Sequence, residues 1–319
     1  MRASLQSEQY EGVPVSDVAP QTNTIHDAII VGGGPAGASC AIWLKRLGFA
    51  PLLIETAGAL GGLARVNPFQ DDWTPLVQGE TGHEIAGRIA RGVVDAGVAM
   101  RLQSAVSAVE RRGRTFEVTV RDAQGVTQIL HAHTVVIASG VTARGLDGAG
   151  PTPVPGILVG PGSDVADRDY RGLRVAILGG GDNAFENYTF VRERDPAVVH
   201  LYARHVRAQQ QWIDRTRPED VRIGAYDVDI NARRVNGLPY DLLLVFYGWV
   251  PQVPYAEGLG LVRDARGFVR TARETAETSV EGIYAIGEVA HRMHPCVVTS
   301  LADGVVAAKA IQARLEPRP

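Results

Sequence analysis

Two short glycine runs carry the clearest chemical signal in this sequence. The first, Gly32-Gly33-Gly34-Pro35-Ala36-Gly37, follows the apolar stretch Asp27–Val31 and precedes a helical stretch, Ala38–Leu47, that stops at Gly48. Gly32 would permit a tight turn, Gly34 would let the backbone approach a pyrophosphate, and Gly37 would let the helix pack closely on the strand. The start of the helix offers free N–H groups and positive partial charge to phosphates. Glu55 lies 23 residues beyond Gly32, at the end of the next apolar stretch, Pro51–Glu55. From there its carboxylate can accept from both ribose hydroxyls. The pattern predicts a βαβ unit that recognises the pyrophosphate and adenosine of a dinucleotide.

The second run, Gly179-Gly180-Gly181-Asp182-Asn183-Ala184, follows the strand pattern Arg174–Leu178, with Ala184 in the third small position. A helix over about Ala184–Glu193 and a strand over Val198–Tyr202 are expected next. An acidic residue after that strand would select NAD. Instead Arg204 and Arg207 stand there, and cations suit a 2′-phosphate, hence NADPH. The chain has two cysteines, Cys40 and Cys296, too few for a disulfide framework or a zinc site. Cys40 sits at a small-residue position of the first helix and reads as packing, as do Trp73, Trp212 and Trp249.

Positioning these groups takes two units. A chain of 319 residues suggests about two domains at ~150 residues each. Its 45% hydrophobic and 21% charged residues are ordinary globular proportions. A net charge of −3 argues against a nucleic-acid partner. No apolar run reaches the ~18 residues of a membrane span, and the first 25 residues have no signal-peptide core, so a cytoplasmic protein is expected. Residues 1–24 read as a flexible arm. Ser104–Glu110, Thr115–Arg121 and Val126–Thr134 alternate like antiparallel strands, and Val135–Gly140 reads as a separate buried strand. Near the end come a strand, Gly282–Ile286, then Gly287-Glu288, and an amphipathic helix over Val297–Leu315.

With these motifs in place, residues 26–315 resemble the low-molecular-weight thioredoxin reductases, within the pyridine nucleotide-disulfide oxidoreductase superfamily. The likeness rests on Val31–Gly37, Gly61-Gly62, Ala138-Ser139-Gly140, Val175–Glu186 and Ala285–Val289. It implies an α/β fold of two Rossmann-like, three-layer ββα domains. An FAD domain from 25–146 and 249–319 would flank an inserted NAD(P)-binding-like domain, 147–248. The expected FAD contacts are Gly32, Gly34, Pro35, Ala36, Gly37, Glu55, Gly61, Gly62, Ala138, Ser139, Gly140, Gly287, Glu288, Cys296, Val297 and Val298. The expected second-nucleotide contacts are Gly179, Gly181, Asp182, Asn183, Ala184, Arg204 and Arg207. The resemblance also implies a homodimer.

The departures bear on function. Counting back from Val175, the family's redox-active Cys-x-x-Cys falls on Gly162-Ser163-Asp164-Val165, with no cysteine. A dithiol relay needs one thiol to attack and one to resolve, so thioredoxin reduction is not expected. The family's arginine cluster shrinks to Tyr202–Arg207, its Gly-Asp at the flavin ribityl becomes Gly287-Glu288, and its Arg-Gln-Ala beside the flavin becomes Pro295-Cys296-Val297. Cys296 would sit at the start of the last helix beside the flavin, as space-filler or as a catalytic thiol. His291, Met293 and His294 read as loop residues flanking the flavin rather than metal ligands. The expectation is an FAD-dependent, NAD(P)H-dependent oxidoreductase that passes electrons to ferredoxin, flavodoxin or a small molecule. The alternatives are a pyridine-nucleotide-independent enzyme, linked to ferredoxin or carrying a second flavin, and a non-catalytic FAD-binding redox sensor.

Overall fold

The computed structural model of the chain describes residues 24–146 and 154–316. All but the last residue of the expected arm, and the expected boundary at 147, lie outside the described residues. The chain divides into two compact units, one running to Gly140 and resuming at Pro251, the other spanning Val141–Val250.

The first unit opens with β1 (Ile25–Val31), α1 (Pro35–Arg46) and β2 (Pro51–Ile54), followed by the short α2 (Gly62–Arg65), α3 (Gly82–Asp95) and β3 (Ala99–Arg101). Three longer strands follow: β4 (Ala105–Arg112), β5 (Thr115–Arg121) and β6 (Thr127–Ile137). The sheet order is β3-β2-β1-β6-β5-β4. α1 begins at Pro35 rather than at Ala38. Proline suits the first helical position, where an N–H has no intrahelical partner. α3 is closed by a capping box in which the Thr81 hydroxyl accepts from the Glu84 N–H and the Glu84 carboxylate accepts from the Thr81 N–H.

The separate strands expected over 126–134 and 135–140 are one. β6 pairs antiparallel with β5 over Thr127–Ala132 and parallel with β1 over His131–Ile137. Thr134, the last residue of the first of these stretches, is fully buried, and its hydroxyl donates to the Asp27 carbonyl at 2.7 Å.

In the second unit β7 (Val141–Ala143) precedes β8 (Ile157–Val159), α4 (Ser163–Ala166), β9 (Arg174–Leu178), α5 (Asp182–Arg192), β10 (Val198–Ala203), α6 (Gln210–Ile213) and β11 (Val221–Ile223). A small antiparallel sheet of β12 (Val228–Asp229), β13 (Arg234–Val235) and β14 (Leu238–Pro239) leads to β15 (Leu242–Val245) and β16 (Trp249–Pro251). The main sheet is wholly parallel, ordered β11-β10-β9-β15-β8. Four-residue runs in which every residue is buried, such as Leu242–Val245, are what a parallel sheet covered on both faces requires.

The chain then returns to the first unit through β17 (Ile283–Ala285), which pairs parallel with β6, and ends in α7 (Val297–Leu315). Alternation along β1 sends Ala28 and Ile30 into one core with α1 and α7, and Ile29 and Val31 into another. α1 and α7 meet at Gly304, where an added Cβ would lie 2.6 Å from the Ala36 carbonyl oxygen and 2.7 Å from the Cys40 nitrogen. No described helix is long and apolar enough to cross a membrane.

Candidate dinucleotide and flavin-side sites

The first glycine turn separates glycines that the protein itself requires from one that it does not. Gly32 has φ +110°, and a Cβ there would fall 2.3 Å from the Ala138 carbonyl oxygen. A Cβ on Gly37 would fall 1.9 Å from the Gly32 carbonyl oxygen. Gly34 differs. Its backbone is ordinary (φ −70°, ψ −178°), and a Cβ would meet nothing nearer than the Gly62 Cα at 3.8 Å. The protein leaves room beside Gly34, at the N-terminus of a twelve-residue helix with no side-chain cap and no acidic residue in its first turn. That is the cradle a pyrophosphate needs. The residues therefore fit a bound dinucleotide on this structure's own geometry.

The other first-site residues gather around this turn. Glu55 accepts from the Gly33 N–H at 2.7 Å and from the Ala57 N–H at 2.8 Å. The Gly61 N–H donates to the Gly33 carbonyl at 2.9 Å, and Gly62, at φ +54°, faces Gly34. The Ala138 N–H donates to Val31 at the end of β1, and Gly140 has φ +64°. The Ser139 hydroxyl is engaged by the Gln252 carbonyl and by the Tyr255 hydroxyl, the latter at 2.8 Å.

Gly287, at φ +70°, begins a short 3-10 turn after β17, and a Cβ on it would come 2.9 Å from the Ala36 Cβ. This places the Gly287-Glu288 turn against the start of α1. The Glu288 carboxyl is half-buried, and burial raises its affinity for a proton. Asp303 of α7 accepts from the Gly287 N–H at 3.0 Å and from the Arg292 Nε at 3.0 Å. Arg292 also donates to the Thr271 hydroxyl and to the carbonyls of Ala272 and Arg273. With side chains 9% and 3% exposed, this is a buried ion pair, and it was not foreseen. A signal did exist: Asp303 falls within the periodic row of buried residues Ser300, Gly304, Ala307, Ala308 and Ile311.

Cys296 is the N-cap of α7. Its Sγ accepts from the Thr299 N–H at 3.5 Å, and its own N–H donates to the Thr299 hydroxyl at 3.3 Å. The N–H groups of Val297 and Val298 open the helix beside it. Cys40 is fully buried in α1, where burial strongly disfavours its thiolate. His291 packs against Phe268 and meets Arg266, and among the described residues no cluster of His, Cys, Asp or Glu could hold a metal ion. Of the tryptophans read as packing, Trp73 is 72% exposed and so is not core, whereas Trp212 packs against the core of the second unit.

The second turn repeats the logic of the first. Gly179 (φ +152°) and Gly180 would place a Cβ 2.5 Å from the Phe246 carbonyl oxygen and 2.0 Å from that of His205, whereas Gly181 faces open space. Ala184 is buried at the third position. Asp182 accepts from the Gln209 N–H and Nε2 at 2.7 and 2.8 Å, and Asn183 accepts at its carbonyl from Asn187. Arg204 and Arg207 are exposed in the loop after β10, where the Arg207 N–H donates to Gly180 at 2.6 Å. At the positions that count as the cysteine pair, Gly162 caps α4 and Val165 is buried, its carbonyl accepting from the Tyr170 hydroxyl at 2.7 Å.

Two units of this kind, each with a glycine turn between a parallel strand and a helix, define an α/β flavoprotein oxidoreductase of the nucleotide-binding type. The sequence model of the pyridine nucleotide-disulphide oxidoreductase family matches residues 26–305, and the chain belongs to that family. The family uses FAD and NADPH. The chain is 26% identical over 302 residues to the bifunctional thioredoxin reductase/thioredoxin of Mycobacterium leprae, covering 89% of this chain and 65% of that protein. It is 25% identical over 304 residues to the thioredoxin reductase of Mycolicibacterium smegmatis, covering 90% of this chain and 95% of the other. In fold it is similar to the solved thioredoxin reductase of Lactococcus lactis, with TM-score 0.74 and 22% identity over 90% of this chain and 97% of that one.

Proposed function

We propose that this chain is an FAD-dependent, NADPH-dependent oxidoreductase that works without a protein dithiol, passing electrons to a ferredoxin, a flavodoxin or a small-molecule acceptor, as a homodimer. The observation that carries the reading is the cysteine inventory set against the fold. Two glycine turns leave open space for ligand at Gly34 and Gly181. Yet the only thiols are a buried Cys40 and the helix-capping Cys296, both free.

FAD, when bound, supplies a centre that takes up a hydride and gives up electrons. The chain's own residues do the rest. Gly32–Gly37 and the start of α1 would hold the pyrophosphate, Glu55 the adenosine ribose, and Gly287-Glu288 with the start of α7 the ribityl and ring side. Burial raises the affinity of the Glu288 carboxyl for a proton; its oxygens would accept from a ribityl hydroxyl, and in the protonated form it would also donate. Arg204 and Arg207 would favour a nucleotide carrying a 2′-phosphate.

A second reading replaces the pyridine nucleotide with ferredoxin or a second flavin, and its ferredoxin form draws support from Asp182. Its carboxylate stands in the first turn of α5, where an anionic ligand would arrive. Anaerobic titration of the purified protein separates the two. Bleaching of the flavin by NADPH within seconds supports the first reading. Bleaching by reduced ferredoxin alone rejects it in favour of the second. Thioredoxin should remain unreduced under both.

A further inference from the structure

Arg204 follows β10, Tyr226 follows β11 and Tyr247 follows β15. These strands run parallel in the order β11-β10-β9-β15, so the three residues lie along the same sheet edge as the Gly179–Gly181 turn, which follows β9. Open parallel sheets bind ligands outside this edge. Across it the Tyr226 hydroxyl donates to the Tyr247 hydroxyl at 3.0 Å.

The pair is held from below. The Tyr226 ring leans on Tyr202, with centroids 5.6 Å apart, and the Tyr202 hydroxyl bonds Tyr240 at 2.7 Å. Tyr240 in turn bonds the His200 Nδ1 at 2.7 Å. Both upper phenols are half-buried, and burial keeps both protonated, so each remains an O–H donor. The Tyr226 O–H is engaged as donor to Tyr247. The Tyr247 proton has no acceptor among the described residues. A hydroxyl that accepts one hydrogen bond becomes a stronger donor of the next.

Arg204 supplies the charge. Its guanidinium acts on both phenols, and among the described residues it has no carboxylate or hydrogen-bond partner. The other arginine of the loop is placed differently, since the Arg207 N–H ties that part of the loop to Gly180. A cation and an O–H donor at the same ligand-binding edge, neither with a partner among the described residues, call for an anion with several acceptor oxygens.

We propose that Arg204 and Tyr247, with Tyr226 fixing and polarising Tyr247, form the subsite for the 2′-phosphate of NADPH. The proposal rests on the reading that the second glycine turn takes a pyridine nucleotide, and it assigns to two tyrosines a discrimination that arginines alone would otherwise carry. NADH offers a neutral hydroxyl at this point. A phosphate monoester offers charge and three oxygens, and charge-assisted bonds are about twice as strong as neutral ones.

Calorimetric titration of the FAD-loaded protein with fragments that cannot reduce flavin tests this directly. The probes are adenosine 2′,5′-bisphosphate, 5′-AMP and FMN. The bisphosphate should bind about tenfold or more tighter than AMP. Tyr247→Phe should weaken the bisphosphate roughly ten- to a hundredfold and leave AMP within about twofold, as expected for one lost bond to a charged group. Melting curves identify any variant that fails to fold. If Tyr247→Phe binds the bisphosphate like wild type while Arg204→Ala does not, the tyrosine subsite is overturned and the NADPH reading stands. If no adenosine fragment binds, or FMN binds in preference, both are overturned.

Discussion

Gly34→Ala and Gly37→Ala change the same glycine turn by the same methyl group, yet the structure assigns them opposite consequences. At Gly37 the new Cβ would lie 1.9 Å from a backbone carbonyl oxygen, which cannot swing aside. Separating α1 from β1 to relieve that overlap should cost about 3 kcal/mol or more, the upper range for overpacking. At Gly34 the backbone already suits alanine, and the nearest atom is 3.8 Å away. In flavin-free protein Gly34→Ala should therefore change stability by no more than about 0.5 kcal/mol, like an ordinary surface substitution. Its penalty should appear only with ligand. A pyrophosphate pushed off one N–H donor loses a charged hydrogen bond worth roughly 1.5–3 kcal/mol, or about ten- to a hundredfold in affinity. The assay pairs urea unfolding of flavin-free proteins with FAD titration followed by flavin fluorescence. Comparing flavin-free forms matters, because bound FAD itself raises apparent stability. Wild-type FAD affinity in Gly34→Ala would refute the assignment of this space to the pyrophosphate. A destabilised flavin-free Gly34→Ala would show that the turn is tighter than described.

Arg292→Met, which strands Asp303 in the interior, should destabilise the protein by about 3–5 kcal/mol in urea unfolding, as breaking one side of a buried pair does. Cys296→Ala should lower stability by about 1 kcal/mol through loss of the helix cap, with Cys296→Ser restoring most of it. Turnover in Cys296→Ala should fall by less than about tenfold, since a structural cap makes no bond to the reacting atoms, and a larger loss with FAD still bound would make the thiol catalytic. Burial raises the proton affinity of Glu288 in the folded state, so the folded form binds a proton that the unfolded form has already released. Flavin-free protein should then lose stability as pH rises from the ordinary carboxylate range through the raised one. Glu288→Gln should flatten that part of the urea midpoint–pH curve, and an unchanged slope would refute the attribution.

The turns were legible in the sequence because their information is local. Gly32, Gly34 and Gly37 mark a strand–turn–helix within six residues, and Glu55 closes the unit at a fixed spacing. α7 could be read to its ends, Val297 and Leu315, from periodicity alone. What escaped was non-local or chemically unusual. Arg292 reaches Thr271, Ala272, Arg273 and Asp303, a constellation that only the return of the chain through β17 assembles. Tyr226 and Tyr247 are brought together by sheet order, not by sequence pattern. β6 changes along its length from an alternating stretch to a wholly buried one at Thr134, whose hydroxyl bond to Asp27 makes it a normal interior residue. Cys296 is spaced from Thr299 as in a capping box, but cysteine is not among the residues that announce a cap.

At the two positions where the resemblance would put a cysteine pair, the second unit is packed rather than open. Val165, at one of the two positions, is 1% exposed and packs with Tyr170, Val175 and Phe185 in the interior of that unit. The Tyr170 hydroxyl, fully buried, takes the Val165 carbonyl as its acceptor, so the backbone there is fixed by a bond that a mobile redox loop would have to break. Gly162, at the other position, opens the four-residue α4. A thiol at 165 would face apolar side chains, where burial suppresses the thiolate that exchange chemistry requires. The two cysteines that remain do not replace the pair: one is sealed inside α1, and the other is occupied at the first turn of α7. With neither an attacking nor a resolving thiol in place, electrons from a reduced flavin would have to leave by direct contact with the acceptor. The acceptor's own shape and charge, rather than a disulfide on this chain, would then set the specificity of that half of the reaction.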